Sequence, residues 1–412
     1  MEGTNGLRIA IVGGGVCGLT CAVALAKRGI QAHVFEAAPQ FGEIGAGVGI
    51  GPNAVRVLQD IGILHEFYAG ADGHEFIYGY PVRPEDVGLG LHRARFLDAL
   101  MKNIDSKYTH HNKRCKSILQ TDLSSPAVIH FEDGTTFEAD VVLGADGIKS
   151  AVRGSVIEVE KNPVVFSNTT CYRGLIPIED IESAGVLMNL TQQPTCFVGF
   201  DKHIILFPIS SATIINVVAF GMDRSIPIGE ANRPDNEPWV VPASREQLLK
   251  EYEGWGSDVL KILGCIKNPT KWMIHVVHPP LKTYVNGRIA LLGDSAHAML
   301  PHLGAGAGQA LEDAHLLAQL LGDPQTNVEN IPVVLEAYDR VRRPRAQMVW
   351  EGSRIAGDTY EGHGKHGNTV QGLREDLHDL LEPVWRHELS ADLRDALGYL
   401  YETAAFRDTV SS

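Results

Sequence analysis

The chain has 412 residues, enough for two or three domains or one large composite, with 44% hydrophobic and 21% charged residues. Fifty acidic residues against 36 Lys and Arg give a net charge of -14, which argues against nucleic acid or an anionic membrane surface as a partner. The six cysteines (Cys17, Cys21, Cys115, Cys171, Cys196, Cys265) form no C-x-x-C pair, so they read as reduced thiols and lend no support to a metal site.

Ile9 to Val12 predicts a buried strand, and Leu19 to Ala26 a helix. Between them lies a G-x-G-x-x-G turn with Gly13, Gly15 and Gly18 in the glycine places. The first glycine permits the tight turn, the second lets a pyrophosphate approach the backbone, and the third lets helix pack on strand. The anion would meet free N–H groups at the positive end of the helix. A second strand, Gln31 to Phe35, ends at Glu36, where an acid accepts hydrogen bonds from a ribose. These features predict a dinucleotide, NAD or FAD. The uncharged run Ile9 to Ala26 is long enough to raise a membrane span, but its glycine turn breaks the helix. No basic region precedes it as in a signal peptide, and the chain ends Thr409-Val410-Ser411-Ser412 without an apolar tail. The expectation is a soluble, cytoplasmic protein with no membrane and no nucleic acid partner.

Gly42 to Asn53 holds five glycines, as a loop lying against a flat ring requires, with Gly49 among them. Pro52 opens a helix with Ala54, Val57, Leu58 and Ile61 on one face. Phe76, Tyr78 and Tyr80 alternate as in a hairpin, and Leu91 to Leu100 reads as an amphipathic helix with Arg93 at its start. Asp133-Gly134 is a hairpin turn between Ala127–Phe131 and Thr136–Ala139. The strand from Asp140 ends in Asp146-Gly147, with Ser150 and Arg153 beyond.

From about residue 165 to 275 the pattern changes to short alternating strands: Thr169–Cys171, Thr195–Phe200, His203–Pro208 and Thr213–Phe220. They predict an antiparallel sheet. Asp223 to Ser244 reads as a polar loop and Ser244 as the cap of a helix. Gly287 to His297 returns to strand and turn, with Asp294 at the strand end. A second glycine turn, Gly304-Ala305-Gly306-Ala307-Gly308, precedes a helix from Ala310 to Leu321 and forms another anion-binding nest. Leu373, Leu377, Leu380 and Leu381 then recur at helical spacing.

Three blocks in order, the opening turn with Glu36, Gly144-Ala145-Asp146-Gly147 with Ser150 and Arg153, and Gly293-Asp294, resemble the three motifs of the class A flavoprotein aromatic hydroxylases across about residues 8 to 355. Gly293 to His297 with Pro301-His302-x-Gly304 to Ala314, and the stretch Tyr338-x-x-Val341-Arg342-Arg343-Pro344-Arg345, are similar to the salicylate hydroxylase-like branch. The resemblance implies an α/β fold: a Rossmann-type FAD-binding domain (residues 1–75, 91–165 and 281–355), a substrate domain (a 76–90 hairpin and residues 166–280) and a helical segment at 356–412.

It further implies that Gly13, Gly15, Gly18 and Glu36 hold the ADP half of FAD, and that Arg93 reaches its flavin side. Asp146 lies near FAD and the nicotinamide donor, and Asp294 bonds the ribityl chain. Pro301 lines the ring, while Gly304, Ala305, Gly306 and Ala307 face its pyrimidine edge. The implied reaction uses NADH or NADPH and dioxygen. A flavin 4a-hydroperoxide hydroxylates a phenolic or benzoic acid ring, with or without loss of its carboxylate. His203 resembles the branch's substrate-side histidine, a base for the phenol proton; Tyr172 and Arg173 are further candidates, Arg173 for a substrate carboxylate.

One departure is Leu303, where the branch carries glutamine. If it touches substrate, it predicts a ligand less polar at that point, and hence the alternative of hydroxylation or epoxidation of a more apolar secondary metabolite. A flavin-binding interaction protein without turnover is the alternative of another class. No second G-x-G-x-x-G is present for the nicotinamide donor, which fits transient binding. The expected assembly is a monomer or homodimer.

Overall fold

The computed structural model describes residues 6–40, 47–68, 89–122, 125–157, 162–192, 194–210, 212–231 and 237–407. The expected hairpin at Phe76, Tyr78 and Tyr80 and the glycines at 42 and 45 lie outside the described residues. The chain opens with β1 (Ile9–Val12), α1 (Val16–Lys27) and β2 (Ala32–Phe35), then β3 (Gly47–Ile50), α2 (Pro52–Asp60), α3 (Leu64–Tyr68), β4 (Leu89–His92), α4 (Arg93–Met101) and β5 (Thr109–His110). A meander of β6 (Cys115–Leu119), β7 (Ala127–Phe131) and β8 (Thr136–Ala139) leads into β9 (Val141–Gly144). Next come β10 (Val164–Pro177), α5 (Ile178–Ser183), β11 (Thr195–Val198), β12 (Lys202–Ile209), β13 (Ile214–Met222), β14 (Val240–Pro242), α6 (Arg245–Glu251), α7 (Ser257–Gly264) and β15 (Thr270–Val277). The chain continues through β16 (Val285–Asn286), β17 (Ile289–Leu291), α8 (Asp294–His297), α9 (Gly306–Leu321), α10 (Ile331–Tyr360), α11 (Val370–Leu377), α12 (Glu382–Trp385) and α13 (Leu389–Glu402).

The first sheet has the order β16-β17-β9-β1-β2-β5, parallel except at its β16 edge. β1 and β9 are buried at every residue, which explains their unbroken apolar runs. The glycine turn after β1 is sterically determined. A Cβ on Gly13 (φ +108°) would lie 2.3 Å from the Ala145 oxygen, and one on Gly18 would lie 2.0 Å from the Gly13 oxygen. At Gly15 a Cβ would meet nothing within 4 Å. Two of the three glycines therefore serve packing, and the middle one leaves the backbone bare.

The second sheet is antiparallel, in the order β11-β12-β13-β10-β15-β14. β10 runs 14 residues, far beyond the expected Thr169–Cys171. A register shift between Phe166 and Thr170, with Asn168 at φ +60°, interrupts the alternation and hides the strand's length in the sequence. β14 lies within the stretch expected to be a loop. One face of this sheet, with Ile204, Leu206, Val217 and Ala219, packs on Leu248 and Tyr252 and on Ile262 and Leu263 of α7. The opposite face carries His203, Phe220 and Cys171.

α9 starts at Gly306, four residues before the expected Ala310, and its first turn stands beside that of α2. A Cβ on Gly308 would lie 3.1 Å from Asn53 Nδ2, so glycine lets the two helix starts approach. The 30-residue α10 ties this region to the C-terminal helices through Arg342, whose side chain is fully buried. Its Nη1 bonds Glu312 at 2.7 Å and Asp392 at 3.2 Å, and its Nε bonds Asp313 at 2.9 Å. Glu312, His387 and Asp392 bring donor atoms together as a metal site would, but a guanidinium already bonds two of them. Among the described residues, no helix is long and apolar enough to cross a membrane.

Candidate active site

The expected residues fall into two groups, the first of them along the first sheet and the helix starts. Glu36, at the end of β2, accepts hydrogen bonds from the Gly14 and Ala38 N–H groups, both at 2.7 Å. Each carboxylate oxygen keeps a lone pair for a further donor. Asp294 is exposed in the first turn of α8, and Arg93 is half-buried at the first residue of α4. Gly49 in β3 and Gly304 line a pocket of about 50 Å³ with Leu303, Gly308 and Trp385. The starts of α2 and α9 both point into it, so two positive helix ends meet there.

Asp146, expected near FAD and the nicotinamide donor, has its carboxylate turned to its own loop. That group accepts from Ser150 Oγ (2.6 Å) and from the Ala151 and Val152 N–H groups (2.8 and 3.2 Å). It caps the turn that follows, and the segment's approach to the cofactor turn is made by backbone: Asp146 Cα would lie 2.9 Å from a Cβ on Gly13.

The second group gathers on the face of β12, β13 and β10. His203 is fully buried, stacked on Phe220 with ring centroids 4.6 Å apart, and it meets the His302 ring edge-on at 5.0 Å. Its Nδ1 lies 2.9 Å from Glu361 Oε1. Its Nε2 and the Nδ1 of His302 are buried without a partner among the described residues. Burial, reinforced by Arg224, pushes His203 down to about 3; burial, followed by the nearby His203, pushes His302 down to about 3. Both rings are therefore neutral near pH 7. The Glu361 carboxyl is shifted up by burial, opposed by His302 and Arg224.

Arg173 lies on the same sheet face, half-buried over the Trp272 ring at 5.1 Å, and forms no ion pair among the described residues. Tyr172 does not join this group. Adjacent strand residues point to opposite faces, and Tyr172 faces the helix layer, where its hydroxyl donates to Glu251 at 2.7 Å. Burial and then Glu251 push its phenol up, away from any role as a base near neutral pH.

Pro301 is exposed at the turn before α9. Leu303 is buried in a cluster with Ala305, Val349, Ala356, Tyr360, Leu381 and Val384. Its N–H donates to Ser353 Oγ at 3.2 Å. A leucine at this position answers to the apolar C-terminal cluster, so it is not by itself a sign of an apolar substrate.

Sequence reading missed Glu361, Arg224 and the inward placement of His302. Glu361 lies 158 residues from His203 in the chain, just past the end of α10, and no motif marks it. For His302 there was a signal in α10: a Cβ on Gly357 would lie 2.5 Å from its ring, so that glycine makes room for the imidazole.

The residues fit a dinucleotide. At Gly15 and Gly306 a Cβ would meet nothing within 4 Å, so these turns are bare for a reason other than internal packing, while Gly304 is held at φ +61°. A parallel sheet with a bare glycine turn, set against an antiparallel sheet across a second such turn, is the architecture of a dinucleotide-dependent oxidoreductase. Residues 7–169 and 265–353 match the family model described as FAD binding domain. A salicylate hydroxylase of Pseudomonas putida is 41% identical, the match covering 95% of this chain and 95% of that protein. The 6-methylsalicylate 1-monooxygenase atA of Aspergillus terreus is 33% identical over 96% of this chain and 93% of its own. A solved salicylate hydroxylase substrate complex superposes with a TM-score of 0.83 and 34% identity, covering 95% of this chain and 98% of that one. The chain belongs to the class A FAD-dependent aromatic hydroxylases, in the salicylate hydroxylase-like branch.

Proposed function

We propose that this flavoprotein monooxygenase acts on an ortho-hydroxybenzoate of the salicylate type, adding one oxygen atom to the ring, with carbon dioxide released when the attacked carbon bears the carboxylate. Bound FAD supplies what side chains cannot: two-electron reduction by NADH or NADPH and activation of dioxygen. In this reading the Gly13–Gly18 turn and Glu36 hold the ADP half, and Asp294 and Arg93 hold the middle of the cofactor. Gly49, Pro301 and the Gly304–Ala307 turn receive the ring, the two converging helix ends favouring negative charge at its edge.

The observation that carries the substrate reading is the pair of imidazole nitrogens, His203 Nε2 and His302 Nδ1, buried without a partner among the described residues. Buried polar atoms are nearly always bonded, so a polar substituent of the substrate is the natural partner. A phenol hydroxyl donates to His203 Nε2, and partial proton removal makes the ring more nucleophilic. Both nitrogens are sealed from solvent, so substrate reaches them as the neighbouring side chains shift. Arg173, without a carboxylate partner among the described residues, then pairs the substrate carboxylate.

The test is NADH and NADPH oxidation with dioxygen uptake by the FAD-loaded enzyme, across salicylate, 6-methylsalicylate, benzoate and phenol. The expectation is substrate-stimulated oxidation with the hydroxybenzoates, and carbon dioxide release that follows consumption in the decarboxylating case. Stimulation by phenol equal to that by salicylate overturns the carboxylate pairing, and no stimulation by any hydroxybenzoate overturns the substrate class.

A further inference from the structure

Resting on the reading of His203 as the substrate-side base, we infer that Glu361 is the second member of that base: a positioning residue that fixes the imidazole tautomer and takes up its Nδ1 proton as Nε2 receives the proton of the phenol.

The geometry sets the direction of each hydrogen bond. An ionised carboxylate only accepts, so the 2.9 Å contact places the proton on His203 Nδ1 and leaves Nε2 as a bare acceptor. The other carboxylate oxygen accepts from Arg224 Nη1 at 2.7 Å, and the Glu361 side chain is 1% exposed. Backbone holds the pair from both sides: Asp201 N–H donates to the Glu361 oxygen at 3.1 Å and Gly199 N–H to the Tyr360 oxygen at 3.4 Å. The end of α10 is thus fastened to the turn before β12, and the spacing between Glu361 and His203 is a property of the fold.

Electrostatics explain why one imidazole does not suffice. Burial makes an imidazolium costly at this position, as the lowered value for His203 expresses. Passing the Nδ1 proton onward avoids that cation. In the step the phenol O–H breaks and N–H forms at Nε2, while Nδ1–H breaks and O–H forms on Glu361 Oε1. The products are a phenolate, a neutral His203 and a neutral carboxyl, and one negative charge has moved from Glu361 to the substrate oxygen. Burial raises the Glu361 carboxyl, which favours its taking a proton.

The charged and titratable groups around it are Arg224 after β13, Asp201 before β12, Asp358 on α10, His203 and His302, with Cys196 on β11 and Tyr252 beyond. The Arg224 charge is shared, since its Nη2 bonds Asp358 at 2.9 Å and its Nη1 lies 4.0 Å from Asp201. A structural ion pair with Arg224 alone would need no imidazole.

The experiment uses FAD-loaded enzyme without nicotinamide donor and 5-nitrosalicylate as probe, because its phenolate and phenol differ in absorbance. Bound-probe ionisation is titrated in the wild type, Glu361→Gln and His203→Gln. The expectation for Glu361→Gln is a bound phenolate fraction about tenfold lower at a given pH and, in a separate turnover assay with the nicotinamide donor added, kcat for salicylate lower by roughly 10²-fold, with FAD content and probe affinity retained. A Glu361→Gln profile matching the wild type, with His203→Gln shifted, overturns the role of Glu361 and leaves the base in place. An unshifted His203→Gln profile overturns the base itself. Independently of how the variants fold, infrared difference spectra of the wild-type holoenzyme are expected to gain a protonated-carboxyl band when the probe binds as phenolate. Absence of that band overturns the inference.

Discussion

The imidazoles of His203 and His302 meet edge to face with centroids 5.0 Å apart, each with one buried nitrogen that no described residue satisfies. One stands on a strand of the antiparallel sheet and the other on the turn that leads into α9. The contact joins the sheet expected to bind substrate to the turn expected to face the flavin. His203→Ala is therefore expected to lower kcat/KM by about 10²–10⁴-fold. FAD affinity should change only a few-fold. Equal losses of cofactor and activity, measured by flavin absorbance and steady-state kinetics, would make His203 structural.

Among the described residues Arg173 has no carboxylate partner and packs on the Trp272 face. Arg173→Gln is expected to raise KM for carboxylated substrates by roughly 10–10²-fold, the value of a charge-assisted pair. Turnover of a phenol without a carboxylate should be unaffected. A uniform change across both substrate types would place Arg173 outside the binding site.

Leu303 fills an apolar cluster built by α10 and the C-terminal helices. Leu303→Gln buries an amide there without a designed partner and is expected to cost about 1–3 kcal/mol of stability. The relative rates across a substrate panel should stay as in the wild type. A reordered panel without loss of thermal stability would return this position to the substrate.

The two buried imidazoles also give stability a pH dependence. Each titrates at about 3 in the folded chain against an ordinary value of 6.5. Between those limits the unfolded state binds more protons, so stability present above pH 6.5 is lost as pH falls toward 3. The slope is at most about 1.4 kcal/mol per pH unit for each ring. Melting temperature is expected to drop on acidification below neutrality, and to drop less steeply in His302→Asn. Parallel slopes for the two proteins would refute the assignment.

Arg342 compensates Glu312, Asp313 and Asp392 in the interior. Arg342→Met leaves buried carboxylates short of a cation and is expected to cost about 3–5 kcal/mol. Asp392→Asn, at the edge of the cluster, should cost less. Thermal unfolding and retained FAD report both; similar losses in the two variants would mean that the interior charges are balanced by other groups.

Much of this molecule was legible because its instructions are local. The turn at Gly13 to Gly18, the acid at Glu36 and the Asp-Gly hairpin at Asp133 are short-range requirements of backbone geometry, and such requirements leave residues at fixed spacing. The three glycine and acid blocks led to the family for the same reason. The length of β10 was not legible, since a bulge breaks the alternation that announces a strand. Tyr172 and Arg173 fall outside the strand that the sequence announces, and only pairing with β13 shows that they point to opposite faces and which face meets His302.

The sequence by itself determined the dinucleotide turn, because its glycines are near neighbours in the chain, and the resemblance that its three blocks carry supplied the cofactor, the class of chemistry and the histidine to examine. Tertiary structure decided what surrounds that histidine. Glu361 and His302 reach His203 from segments 158 and 99 residues away, brought there by the end of α10 and by the turn before α9. It also turned Leu303 into the C-terminal cluster and spent the Asp146 carboxylate on its own loop. Burial, charge and hydrogen-bond partners at a site are sums over distant segments, and spacing along the chain carries no record of them.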